Sequence, residues 1–443
     1  MNKKYLLRAV AFIIISLLIF SEVQKIFVAP DPTRTAVWIK EFYDEPANTM
    51  DAVIIGASFS YTLFQSPLAW HSHGITVWNY ACEGQRLAEA EYMIKEARKL
   101  QPNACYIVCV NGLFGEWHEN IIHYLSDFMH FSPNKLAMIN RVCDLAGYDR
   151  STRLEYVIPM IRYHDRWKEL SVEDFHQQNN GMKGADVRSL FFGRYKDESM
   201  RYHPTDKKGV LSSDIKESMT RLLDYLDQNN VKAIFMVTPQ LRQKEVIAQY
   251  NAALKMAEKR GYTTLNLYKH MEDMHLDLTQ DYYNVAHTNI FGSMKATAFL
   301  ADYFKDYLNL SDKRSDSSYV SWNYAYHKYQ SEYLAPLMPE SVMDMTKRDF
   351  SIEAPGEESA TETQEGVLLA WGDHSDADGY YIFKKVNDDP FLFLTGADNS
   401  VHSYVDEWVN QEADYTYIII PYRLKNGQRM YGKYKEHGVI IRK

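Results

Sequence analysis

Four cysteines, Cys82, Cys105, Cys109 and Cys143, are all that 443 residues contain. They are too few and too scattered for a disulfide framework. Cys105 and Cys109 flank apolar residues in one short run and read as buried thiols. No Cys/His cluster has the spacing of a zinc site, and no cofactor is called for. Positive charge is also scarce. Lys and Arg number 49 against 58 Asp and Glu, a formal net charge of −9, so there is no general attraction to nucleic acid. No local basic cluster stands out either. A long hydrophobic run is missing too: the apolar stretch near the N-terminus, Ala9 to Phe20, is interrupted by Glu22 and Lys25 before it reaches the roughly 20 residues a bilayer span needs.

That short run is nonetheless informative. Lys3, Lys4 and Arg8 precede or open it, which is the layout of a positive n-region followed by an apolar h-region. No small-x-small cleavage site follows closely, so an uncleaved signal anchor and a cleaved signal peptide both stay open for residues 1–30, with a soluble protein as the lesser alternative. Either places the remainder outside the cytoplasm, and the basic flank favours an N-terminus that stays inside.

Beyond it, apolar runs of strand length alternate with helix-like segments. The runs are 51–55, 75–80, 104–110, 231–237 and 263–267. Segments 88–100, 212–229, 245–261 and 294–307 carry helical spacing. This repeat predicts α/β layering around a largely parallel sheet. Between the third and fourth runs lies a mainly helical stretch and then a polar, glycine-bearing region through Asp206, an insertion suited to covering an active face. A domain over 31–310, a charged and serine-rich linker over 311–365, and a small β-sandwich over 366–443 follow from the change in composition. Tyrosine-rich runs such as Tyr415-Thr416-Tyr417 mark the last part.

In an open α/β sheet, chemistry gathers at the carboxyl ends of the strands. The first run ends at Gly56-Ala57-Ser58, and Ser58 is the candidate nucleophile, although a serine after a strand is equally a common turn residue. A serine hydroxyl needs a neighbouring base, a role histidine suits near neutral pH. His287, just before the last helix of the domain, is the candidate; a cap or surface histidine is its plainer reading. The group that orients its ring is Asn284 or Asp281, with Glu272, Asp273 and Asp277 also close in sequence. Gly84 and Asn111 follow the second and third runs, so the Gly84 N–H, the Asn111 amide and the Ser58 N–H are candidate oxyanion donors; turn chemistry explains the first two as well. Arg162, His164 and Arg166 are candidates to line a groove for an anionic polymer, against the plainer alternative of surface ion pairs.

The series Gly56-Ala57-Ser58, Gly84, Asn111-Gly112 and Asn284-Val285-Ala286-His287 resembles the SGNH/GDSL hydrolase superfamily, and more narrowly its DltD-like extracytoplasmic branch. The resemblance covers about Asp51 to Leu308. It implies a flavodoxin-like three-layer α/β/α fold with a parallel sheet, with Ser58 as nucleophile, His287 as base, and Gly84 and Asn111 at the oxyanion. Two features depart from the pattern. The aspartate usual three residues before the histidine is Asn284, and the first block lacks the Gly-Asp-Ser form. The C-terminal part resembles a fibronectin type III domain through Leu369-Ala370-Trp371, Gly379-Tyr380 and Tyr415-Thr416-Tyr417.

The resemblance implies an exported serine esterase or O-acyltransferase that forms an acyl-enzyme on Ser58. Its expected substrate is a cell-wall or extracellular polysaccharide. Its expected partners are the membrane, through the N-terminal anchor, and a membrane-bound O-acyltransferase. The competing expectation is an SGNH scaffold that has lost turnover and organises a surface polymer.

Overall fold

A computed structural model describes residues 3–28, 35–113, 117–175, 180–188, 205–276, 278, 281–334, 345–373, 376–389, 391–407, 409, 413–426 and 428–442. Much of the insertion expected to cover the active face, and Asp277, lie outside the described residues.

Five short strands, β1 (Ala52–Ile55), β2 (Val77–Asn79), β3 (Cys105–Cys109), β4 (Ala233–Val237) and β5 (Thr263–Asn266), form one parallel sheet in the order β2-β1-β3-β4-β5. This is the doubly wound order whose switch point lies between the first and third strands, where ligands bind at the carboxyl edge.

Alternation along each strand explains the layering, because successive side chains point to opposite faces. Val53, Ile55, Tyr106, Val108, Phe235 and Val237 enter one core with the helices Leu87–Ala97, Ser213–Gln228 and Lys244–Glu258. Their neighbours Ala52, Ile54, Ile107, Ile234 and Met236 enter the other, against the helix Ile290–Leu308. Buried on both sides, the strands read as continuous apolar runs. The fold is therefore three layers, α/β/α.

A short hairpin, β6 (Tyr282–Asn284) and β7 (His287–Thr288), precedes the helix Ile290–Leu308. Asn289 caps that helix, its side-chain oxygen accepting from the Phe291 and Gly292 N–H groups. Gly292 is required there. A Cβ would stand 2.2 Å from the Asp281 carbonyl oxygen, so only glycine lets the helix approach the hairpin this closely.

Residues 311–365 are not simply a linker. The helix Val320–Tyr329 lies on the α/β domain, with Trp322 buried and its ring 5.9 Å from that of Trp70. Strand β8 (Ser359–Thr363) already belongs to the second domain. An aromatic, amphipathic helix was concealed in a segment whose overall composition is polar.

The C-terminal part is a β-sandwich. β8, β9 (Gly366–Ala370) and β12 (Ser403–Asp406) form one antiparallel sheet. β10 (Gly379–Val386), β11 (Leu392–Asp398), β13 (Tyr415–Lys425), β14 (Gln428–Tyr431) and β15 (Val439–Ile441) form the other. Val367, Leu369, Trp371, Tyr380, Ile382, Tyr415, Tyr417 and Ile419 pack between them. Within this core Lys384 and Asp406 are fully buried 2.9 Å apart, and the Tyr417 hydroxyl donates to the same carboxylate at 2.8 Å.

At the other end, Lys3–Phe27 is a single helix of 25 residues, long and apolar enough to cross a membrane by length and composition. It runs past the point where Glu22 and Lys25 interrupt the apolar run, and those two pair with each other at 2.6 Å.

Candidate active site

β1 ends at Ile55, and Gly56-Ala57 lead into one helical turn, Ser58–Tyr61. The turn is held locally. The Ser60 hydroxyl donates to the Ala57 carbonyl at 2.7 Å, and the Thr62 hydroxyl donates to the Ser58 carbonyl at 2.8 Å. Gly56 leaves no room for a side chain, since a Cβ would meet Ser60 Oγ at 2.6 Å. Ser58 is thus fixed at the carboxyl edge of β1, next to the switch point.

The β6–β7 hairpin brings the histidine to it. His287 Nε2 lies 2.7 Å from Ser58 Oγ. On the far side of the ring, Nδ1 lies 2.7 Å from Asn284 Oδ1. The backbone N–H groups of Ala286 and His287 donate to that same Oδ1 at 3.0 Å each. An atom that accepts two backbone donors is the amide oxygen, so the hydrogen of this imidazole is on Nδ1. Nε2 then presents its lone pair to the serine hydroxyl, which is the tautomer a general base requires. Burial pushes the His287 pKa down to about 4; Glu83 opposes this, while Arg188 and Arg242 add to it. The ring is therefore neutral across the physiological range. The Tyr283 ring stacks on it with centroids 5.7 Å apart.

Of the two residues proposed to orient the ring, it is Asn284 that reaches it. Asp281 faces away: its carboxylate takes the Lys295 ammonium at 3.1 Å, and Lys295 also pairs with Asp389 of the sandwich at 3.3 Å. The Asp281 carbonyl accepts from the Asn289 N–H at 2.9 Å, which ties its backbone to the start of the following helix.

Asn111 stands directly after β3, buried, and is latched to the end of β4. Its Nδ2 donates to the Thr238 carbonyl and its Oδ1 accepts from the Thr238 N–H, both at 2.8 Å. Beyond that latch the Asn111 amide also hydrogen-bonds the Tyr250 hydroxyl. Gly84 lies in the turn after β2 with φ +66°, a left-handed conformation that favours glycine. The turns after β2 and β3 abut, because a Cβ on Gly112 would be 2.7 Å from the Gln85 carbonyl oxygen. Ser58, Gly84 and Asn111 therefore share the carboxyl edge of β1, β2 and β3.

The basic residues expected along a substrate groove have their partners elsewhere. Arg162 binds Asn120 at 2.9 Å and Glu119 at 3.3 Å. Arg166 binds the Phe27 and Val28 carbonyls and Asp174. His164 is exposed. All three surround the foot of the N-terminal helix. Their cationic character suggested an anion groove, but local carboxylates and helix-end carbonyls use it.

Other charged groups act on the histidine instead. Glu83 accepts from the Tyr61 hydroxyl at 2.6 Å and pairs with Arg188 at 2.9 Å. Arg188 is also held by Asp186 at 2.8 Å. Arg242 donates from Nε to Gln240 at 3.1 Å. Glu83 adjoins Gly84 and was legible by position. Arg188 comes from the insertion before β4 and Arg242 from the loop after it, and no spacing in the sequence marks either.

No family model matches this chain, and no curated protein matches it. Solved structures do. One is a protein of the G-D-S-L family, titled as lipolytic, from Desulfitobacterium hafniense DCB-2, 11% identical over 57% of this chain and 97% of that one, with a TM-score of 0.28. Another, titled as an acylhydrolase, is from Bacteroides fragilis NCTC 9343, 10% identical over 63% of this chain and 100% of that one, TM-score 0.31. The FN3 domain of human collagen XX is similar to 21% of this chain over 94% of its own length, at 11% identity and TM-score 0.18. Likeness of this size leaves the chemistry to be argued from the side chains.

Proposed function

We propose that this chain is an exported serine acyl esterase or O-acyltransferase, of the SGNH type and its DltD-like branch, acting on acyl esters of cell-wall or extracellular polysaccharide. One observation carries the reading: a continuous hydrogen-bonded line from Ser58 Oγ through His287 to Asn284 at a sheet's carboxyl edge. Ser58 Oγ attacks the ester carbonyl carbon while His287 Nε2 takes the hydroxyl proton. The tetrahedral oxyanion is met by the N–H groups of Ser58 and Gly84 and by the Asn111 amide. His287 returns the proton to the leaving alkoxide, and an acyl-enzyme remains. A water or a sugar hydroxyl, deprotonated by the same histidine, then releases the acyl group.

Asn284 supplies orientation without negative charge, so the imidazolium formed in the transition state lacks the stabilisation a carboxylate gives. That difference favours a slow hydrolase or a dedicated transferase, and is the one observation that supports the scaffold alternative. The N-terminal helix supports a membrane-tethered protein, with a surface polymer and a membrane-bound O-acyltransferase as the partners this placement suggests.

The test is release from a chromogenic acetyl ester by the full chain in detergent, with and without sugar acceptors. Release lost in Ser58→Ala and His287→Ala, with the fold intact, supports the acyl-enzyme. Release unchanged in Ser58→Ala refutes it. No release with water or any acceptor favours the scaffold.

A further inference from the structure

The foot of the N-terminal helix is flanked by apolar side chains that the described residues leave uncovered. Trp167 is 64% exposed, Val172 71% and Phe175 58%. Large apolar side chains exposed together mark an interaction surface, whereas scattered ones need no explanation. These are together: the segments Pro159–Tyr163, His164–Lys168 and Val172–Phe175 all pack on helix Lys3–Phe27.

The attachment is specific. Arg166 donates from Nη1 to the Phe27 carbonyl at 2.9 Å and the Val28 carbonyl at 2.8 Å, filling acceptors that a helix end leaves open. Its Nη2 is fixed by buried Asp174 at 2.6 Å, and Asp174 in turn accepts from the Ser171 N–H at 2.8 Å. The apolar residues are therefore held at the point where the helix leaves the domain.

The helix determines what covers them. At 1.5 Å per residue its 25 residues extend roughly 37 Å, against about 30 Å of bilayer hydrocarbon. Leu7, Phe12, Ile15 and Ile19 are exposed along it, so no part of the described chain shields its length. A helix that spans a bilayer sets its last turn at the headgroup level. Tryptophan and tyrosine rings are enriched at that level on both sides of a bilayer, and here the exposed Trp167 ring lies beside the Lys168 ammonium, 5.5 Å from its centroid.

We propose that the surface formed by Trp167, Val172 and Phe175 docks on the lipid bilayer, so that the domain rests on the membrane instead of swinging from a free tether. Arg166, whose contacts exclude it from a substrate groove, is the positioning residue that joins helix and surface. The proposal needs the membrane helix but not the chemistry at Ser58, and it stands or falls separately.

The four native cysteines are buried, so a single introduced thiol can be labelled on the folded full chain. Trp167→Cys, Phe175→Cys and, on the sandwich, Val401→Cys would each carry an environment-sensitive fluorophore. Each protein would be reconstituted into phosphatidylcholine/phosphatidylglycerol vesicles, and the floated fraction read with and without doxyl-labelled lipid. The expected result is blue-shifted emission at 167 and 175, quenched several-fold more strongly than at 401. Labels at 167 and 175 as aqueous and unquenched as at 401 would overturn the proposal. So would labels shielded from water yet unquenched by lipid, which would mean that a protein covers the surface. Protein that fails to float with the vesicles would overturn it as well.

Discussion

His287 Nε2 lies 2.7 Å from Ser58 Oγ although 229 residues separate the two in the chain. Behind the ring is an amide oxygen where a carboxylate is usual, and the pH dependence follows from that. Burial lowers the His287 pKa to about 4, so the basic form persists as pH falls from 7 through 6. Ester turnover is expected to stay level over that range and to decline only towards pH 4. The same shift adds fold stability that is complete above the unfolded value near 6.5 and is lost as pH falls towards the folded one. Asn284→Asp places a charge beside Nδ1, stabilises imidazolium and moves the acid limb of the pH–rate profile upward. Asn284→Ala frees the ring and lowers kcat about 10²-fold, the lower end of what a positioned base contributes. An acid limb unmoved by Asn284→Asp would contradict this assignment.

Asn111 is both a structural latch and a candidate oxyanion donor, and two substitutions separate the roles. Asn111→Ala strands the buried Thr238 N–H and carbonyl, with an expected cost of about 1–3 kcal/mol in denaturant unfolding. Asn111→Asp keeps the acceptor for the Thr238 N–H but loses the donor to the Thr238 carbonyl as well, so a kcat lowered by about 10²- to 10³-fold in a variant no less stable than Asn111→Ala assigns the amide to the oxyanion. Full activity in Asn111→Asp would assign the residue to the latch alone.

In the sandwich, Lys384→Met leaves the Asp406 carboxylate buried without its ammonium partner. The expected loss is about 3–5 kcal/mol, seen as a lower melting temperature for the C-terminal transition in calorimetry. Adding Asp406→Leu restores part of it, because the stranded charge is then gone, although the Tyr417 hydroxyl has lost an acceptor.

The layered fold was legible because its strands, apolar on both faces, alternate with amphipathic helices, and Ser58 and His287 stood out at the ends of recognisable elements. The choice between Asn284 and Asp281 was not legible. Spacing measures distance along the chain, whereas the ring is met by whichever residue the hairpin turns back, and that depends on the Asn284–His287 pairing in β6–β7. Arg188 and Arg242 were hidden for the same reason, since loops bring them to the histidine from distant parts of the chain. Arg162, His164 and Arg166 read as a substrate groove from charge alone, yet their partners at Glu119, Asp174 and the helix-end carbonyls are only visible in three dimensions.

The central claim is that Ser58 is a nucleophile activated by His287. The most direct measurement is covalent labelling of the full chain by a serine-directed fluorophosphonate, followed by intact mass and peptide mapping. The account predicts one adduct, on Ser58, absent in Ser58→Ala and strongly slowed in His287→Ala. No adduct, or one that persists in Ser58→Ala, would contradict it.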